Sequence, residues 1–157
     1  MGIELPPELA DVAAAAGVQW PKADEEAMRT TAQAWRQAGT RTTALAADAD
    51  GVAGHALSVV HGAAGTAAGQ HWHTFVAPDT GHLTSTAKGC ADAADRLDHA
   101  ADQVGAAKVQ IVRHLVALAQ NTDAANQAAS AGHPLALAGL TTAVHGTAVN
   151  VAQVNHT

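Results

Sequence analysis

Small and apolar residues recur every seven positions along much of this chain, and charges are kept off the resulting rows. From Met28 one row holds Met28, Trp35, Thr42, Ala49, Ala56 and Ala63, and another holds Thr31, Ala38, Leu45, Val52, Val59 and Thr66. Arg29, Arg36, Arg41, Asp48 and Asp50 fall outside both rows, as a helix covered along one side requires. Glycines at 39, 51, 54, 62, 65 and 69 each cost about 1 kcal/mol relative to alanine inside a helix, which predicts bending or fraying after about Gly51. A stronger seam follows: Leu83, Cys90, Leu97, Val104, Ile111 and Leu118, accompanied by Ala87, Ala94, Ala101, Lys108 and Leu115, with only Lys108 as an interruption. Asp92, Asp95, Asp98 and Asp102 fall together on the opposite, solvated face, with Lys88 and Arg96 placed to pair with them.

The punctuation between these rows sets the elements. Pro6-Pro7 opens a short helix through Leu9, Val12 and the following alanines, and Gly17 ends it. Trp20-Pro21 interrupts the chain, because a residue before proline is pushed out of the helical region. Asp24, Glu25 and Glu26 then suit the positive end of a helix dipole, so a long helix is expected from near Lys22. Pro78-Asp79 with Gly81 is a turn, and the next helix is expected from near Leu83. The pattern predicts an all-α fold: a long antiparallel helical hairpin with a short N-terminal helix and a C-terminal apolar helix packed alongside. The expected organisation is a single helical domain over 1–157. It comprises an N-terminal helix and linker (1–20), a first long, bent helix (21–77), a second long helix (79–131) and a charge-free apolar segment (134–155).

After Asp123 the chain carries no charged side chain, while Leu135, Leu137, Leu140, Val144, Val149, Val151 and Val154 make the last segment apolar. Its length approaches that of a membrane span, yet Thr141, Thr142, His145, Asn150 and Gln153 dilute it. A helix packed on the hairpin or on a partner, a membrane-associating segment and disorder all stand as readings of this stretch.

Composition changes the picture in one respect. Hydrophobic residues make up 48% of the chain but aromatics only 3%, with no Tyr and one Phe, so most of the apolar count is alanine. Alanine forms helices well and fills cores poorly, so long contacts or a partner chain must supply the missing buried area. A net charge of -6 without any Lys or Arg cluster argues against a nucleic-acid partner. The single Cys90 cannot form an internal disulfide and sits in the apolar register as a small core residue. Glu4, Glu8 and Pro6-Pro7 stand where a secretory leader needs positive charge and an apolar run, so no cleavable signal peptide is expected.

Candidate chemistry is thin. Ten histidines invite a metal site, but His71-Trp72-His73 has neither metal-ligand spacing for a helix nor a Cys or His pair beside it. No serine lies in a nucleophile turn, and the glycines near Gly62 and Gly65 lack the strand that a phosphate-binding loop needs. The expectation is a chain that is not an enzyme and takes no cofactor and no metal.

Several motifs in order resemble a known family. Trp20-Pro21-Lys22-Ala23-Asp24-Glu25, Met28-Arg29 and Ala34-Trp35 resemble the opening signature of WXG100-like N-terminal domains of actinobacterial polymorphic toxins. His71-Trp72-His73-Thr74-Phe75 is similar to the family's aromatic pair near the hairpin tip. The run from Ala107-Lys108-Val109-Gln110-Ile111 to Leu118-Ala119 looks like its second-helix segment. The likeness covers roughly residues 2 to 127 and extends to the N-terminal domain of the mycobacterial outer-membrane channel and necrotising toxin.

The resemblance implies a non-catalytic module linked to type VII (ESX-like) secretion, targeting or chaperoning a secreted toxin through helix-bundle pairing. The implied partners are small WXG100-type helical proteins or a second copy, together with the secretion machinery. The implied location is secreted or cell-envelope after a cytoplasmic stage. Trp20, Trp35, Trp72 and Phe75 match the family's aromatic positions, and with Leu45, Val52, Leu97, Val104, Ile111 and Leu118 they are the expected interface or packing anchors. Trp35 also lies on an apolar row, where a large core residue is expected. A membrane-associating or channel-related module, touching lipid through residues 134–155, is the alternative. The chain departs from the family's pattern in lacking a Trp-x-Gly turn, because Gly39 comes too late after Trp35. Without Tyr it cannot carry a Tyr-based secretion signal, so a partner supplies that signal or another export machine is used.

Overall fold

The computed structural model describes residues 2–155, and the backbone among them is helices joined by turns and irregular segments, with no strand. A 3-10 turn at Pro7–Leu9 leads into α1 (Ala10–Ala15). Then follow α2 (Glu25–Ser58), α3 (Gly62–Val76) and α4 (His82–Ser130). A 3-10 turn at Pro134–Leu137 precedes α5 (Ala138–Asn155). The fold is all-α, as the seven-residue rows imply. The chain divides into two compact units, one of Met1–Glu26 with Ala101–Thr157 and the other of Ala27–Ala100.

In the first unit, Leu9, Ala13, Ile111, Leu115 and Val151 form a closed apolar cluster, with Leu5, Val12, Val18, Trp20 and Val154 packed around it. Residues from α1, α4 and α5 therefore share one core, which α5 joins through Val151 with Val154 beside it. By length and composition alone the stretch Leu135–Val154 would also cross a membrane. Val151 is nonetheless almost fully buried in the cluster, so part of this apolar surface is already covered by protein. Asp24 caps α2, its carboxylate accepting the Glu26 N–H at 3.0 Å.

In the second unit, α2 and the first turns of α4 run antiparallel: Arg36 reaches Asp95 and Asp98, while Gly39 lies against Ala87 and Cys90. The approach at Gly39 is close. A Cβ placed there would meet the Ala87 carbonyl oxygen at 3.0 Å and the Cys90 Cβ at 3.2 Å. Small residues set this contact, with Ala32 and Ala94 fully buried on the two helices. Packing through alanine and glycine lets backbones approach and leaves little room for large side chains.

The seam on α4 follows its sequence pattern. Cys90, Ala94, Ala101, Lys108, Ile111, Leu115 and Leu118 are buried, and Leu83, Ala87, Leu97 and Val104 are half-buried. On α2 one expected row faces the other way. Thr31, Ala38, Leu45 and Val52 are exposed, as is Val59 just past the helix end, and the positions that turn inward are Ala32 and Gly39, followed by half-buried Ala46 and Ala53. This corrects the sequence reading of that row as part of a covered seam. The small residues one helical step away permit the close approach at Gly39, and the larger ones are left in solvent.

Where the glycine content leads one to expect bending after Gly51, α2 ends at Ser58 and α3 begins at Gly62. His61 is extended and Gly62 has φ +76, a left-handed conformation that only glycine adopts without strain. α3 closes at Ala77 before the Pro78-Asp79 turn, and Gly81 is buried there.

Candidate functional site

Two constellations stand out from the alanine-rich background, one in each unit. In the first unit, Glu25 and Lys108 are both buried, and their side chains meet at 2.8 Å. Glu25 sits in the first turn of α2, and Lys108 is the lone charge of the α4 seam. Each has further partners: the Ile3 N–H donates to the Glu25 carboxylate at 2.6 Å, and the Lys108 ammonium donates to the Ala23 carbonyl at 2.7 Å. The ammonium also lies 5.8 Å from the centre of the Trp20 ring, within cation–π range. Both charged groups thus have more than one polar partner, as a charge pair removed from water requires.

Burial pushes the Glu25 carboxyl pKa up. The hydrogen bond from Lys108, those from the Ile3 and Glu25 backbone N–H groups, and the attraction of the Lys108 charge outweigh that effect. The value falls from the usual 4.5 to about 2. The pair fastens the chain ahead of α2 to the middle of α4. Helix-dipole stabilisation in the first turn, the role expected for Glu25 from sequence, is therefore secondary to ion pairing.

In the second unit, α2 presents an apolar face to solvent. Leu45 and Val52 are 68% and 73% exposed, Val59 just past the helix end is 71% exposed, and Trp35 is 44% exposed. Isolated exposed aliphatics are unremarkable, but a row of them along one helix with a large aromatic at its edge is a candidate contact surface. Past the Ser58 break, Trp72 and Phe75 of α3 are half-buried and stacked, with ring centres 6.0 Å apart. The Trp72 indole N–H donates to Asp50 at 2.7 Å, and His71 and His82 each meet the Phe75 ring edge to face. An apolar cleft of about 280 Å³ opens beside this group, lined by Ala53, Ala56, Leu57, Ala68, His71 and Trp72.

The ten sequence-derived anchors thus divide between the units. Trp20, Val104, Ile111 and Leu118 lie in the first unit: Ile111 belongs to the core cluster, Trp20 packs against it, Leu118 is buried and Val104 half-buried. Trp35, Leu45, Val52, Trp72, Phe75 and Leu97 lie in the second, where Trp35, Leu45 and Val52 are exposed and the other three half-buried. The acidic face of α4 is more than a solvated surface, because Arg36 bridges Asp95 and Asp98 at 2.7 Å each. Among the described residues no group of three or more His, Cys, Asp or Glu could hold a metal; His156 lies outside them.

Sequence reasoning missed the Glu25–Lys108 pair. The available signal was Lys108 itself, since a lone cation in an otherwise apolar row demands a buried counter-charge.

The described residues form an all-helical fold with an exposed apolar helix face, small-residue packing between helices and a buried ion pair. The chain belongs to the family of WXG100 like domains, whose profile matches residues 3–153. Neither the curated proteins nor the solved structures include a match to it. Proteins of this family are helical, are associated with type VII secretion, and typically pair with helical partners or self-associate. They are secreted and typically without enzymatic activity.

Proposed function

We propose that this chain is a non-catalytic helical module of an actinobacterial type VII (ESX-like) secretion route. It targets or chaperones a secreted toxin by pairing its helices with another helical protein. The observation that carries this reading is the exposed row of α2, where Leu45 and Val52 stay in solvent while smaller residues pack inward. A helix that spends its small residues on its own hairpin and offers its larger ones outward is suited to a partner. Trp35, Leu45 and Val52 are the contact residues in this reading, Trp72 and Phe75 extend the surface, and Trp20, Leu97, Val104, Ile111 and Leu118 hold the scaffold.

The partner is a small WXG100-type protein or a second copy. A distinct partner also supplies the Tyr-based export signal that a chain without Tyr cannot carry. The chain is cytoplasmic before export and reaches the medium or the cell envelope afterwards. The membrane-associating alternative has less support, because Val151 and Val154 of α5 are engaged with the first unit's core.

Export tests the reading. With a cognate partner in a cell that carries a type VII system, the chain is expected in the culture medium and is lost from it when the system is inactivated. Unchanged release from the inactivated strain would sink the proposal.

A further inference from the structure

The link between α2 and α3 has the make-up of a hinge. His61 is extended, Gly62 has φ +76, and Gly65 lies so close to the Val60 carbonyl that a Cβ there would overlap it. Beyond this link α3 is weakly held, since none of its 15 residues is buried. Its inward stripe runs through half-buried Gly65, Gly69, Trp72 and Val76, so the first half has no side chain on that stripe and the apolar anchorage is confined to the last turns. There the Trp72 indole N–H donates to Asp50 of α2 and Phe75 meets His82. Packing between α2 and α3 is otherwise incomplete, because the cleft of about 280 Å³ lies between them.

We infer that α3 is a lid on the last turns of α2, detaching and unfolding as one unit while the contact between α2 and α4 at Gly39 stays formed. Segments with few buried contacts open ahead of the whole fold. A helix of this length is marginal on its own, and Gly62, Gly65 and Gly69 lower its propensity further, so once it leaves α2 it does not stay helical. The bond from the Trp72 indole to the Asp50 carboxylate is the latch, because it is charge-assisted and joins the anchored end of α3 to α2. Opening uncovers Ala53 and Leu57 and frees Trp72 and Phe75, all half-buried while the lid is shut. The lid thereby sets how much apolar surface the end of α2 shows to solvent.

Native-state hydrogen exchange of the full chain, read by mass spectrometry, tests this. Relative to their unstructured rates, the amides of α3 are expected to exchange on the order of 100-fold faster than those of residues 90–100 in α4. Asp50→Ala, at an exposed position, is expected to speed exchange about fivefold at both ends of α3 alike and to leave residues 90–100 unchanged, since losing the latch shifts one shared opening equilibrium. Gly69→Ala, where a Cβ meets nothing within 4 Å, is expected to slow exchange throughout α3 about fivefold by strengthening the helix. Protection in α3 equal to that of residues 90–100, an Asp50→Ala effect confined to the turn around Trp72, or exchange indifferent to Gly69→Ala would each overturn the inference.

Discussion

Replacing Lys108 with methionine is expected to destabilise the first unit by about 3 kcal/mol, at the lower end of the range for breaking a buried ion pair. Methionine fits the space of the lysine stem, so the loss is electrostatic. Glu25 would keep its bond from the Ile3 N–H but lose the Lys108 cation, and its burial would then drive the carboxyl pKa upward. Substituting both partners with apolar residues is expected to restore much of the loss, because neither charge is then left to be desolvated.

The pair also sets an acid response. Glu25 is held at about 2 against a usual 4.5, so the native state favours the ionised form. That contribution is fully present above about pH 4.5, declines as pH falls below it, and is gone once the pH passes about 2. Urea denaturation followed by Trp20 fluorescence, with Trp35 and Trp72 replaced by phenylalanine, measures both effects. Lys108→Met should show the lower midpoint at neutral pH and a shallower loss of stability on acidification. Equal midpoints for wild type and variant would mean that the pair does not hold this unit together.

Leu115→Ala is expected to cost about 3 to 4 kcal/mol. Leu115 is fully buried in one cluster with Leu9, Ala13, Ile111 and Val151. Neighbours as small as Ala13 cannot swing inward to fill the space a leucine vacates, so most of the cavity persists. Leu45→Ala, by contrast, is expected to change the stability of the monomer by no more than about 0.5 kcal/mol, because its side chain is already in water. Denaturation of the two variants under conditions that keep the chain monomeric compares them directly. Similar losses would place Leu45 in a core and contradict the assignment of its row as a contact surface.

The contrast between these two leucines shows what was readable in the sequence. On α4, Leu, Ile and Val recur in one row and charges crowd the opposite face, so the buried side is plain, and Ile111, Leu115 and Leu118 are buried as the pattern requires. On α2, three adjoining rows lack charge after the first turn: the Met28–Trp35 row, the Leu45–Val52 row and the Ala32–Gly39 row. Exclusion of charge therefore leaves a wide arc, and hydrophobic size points to the wrong part of it. The helices meet where side chains are smallest, a preference that follows from backbone approach at Gly39 and not from apolar transfer.

The ends of helices were easier to place, because proline and glycine act locally: Pro78-Asp79 and Gly81 mark the turn before His82. The break after Ser58 depends on Gly62 taking a positive φ, which one glycine among many does not advertise. The Glu25–Lys108 contact joins residues 83 positions apart, beyond the reach of any local pattern, and only the anomaly of Lys108 in an apolar row hinted at it.

The proposed pairing rests on the aliphatic face of α2 that stays exposed, and the most direct test is to see what covers it. Co-expression of the full chain with small WXG100-type proteins, followed by native mass measurement of the purified product, should give a stable complex containing a second helical chain, either a WXG100-type protein or another copy. Leu45→Arg should dissolve that complex without unfolding the chain. A product that is monomeric in every combination, or a complex that tolerates Leu45→Arg undiminished, would contradict the account.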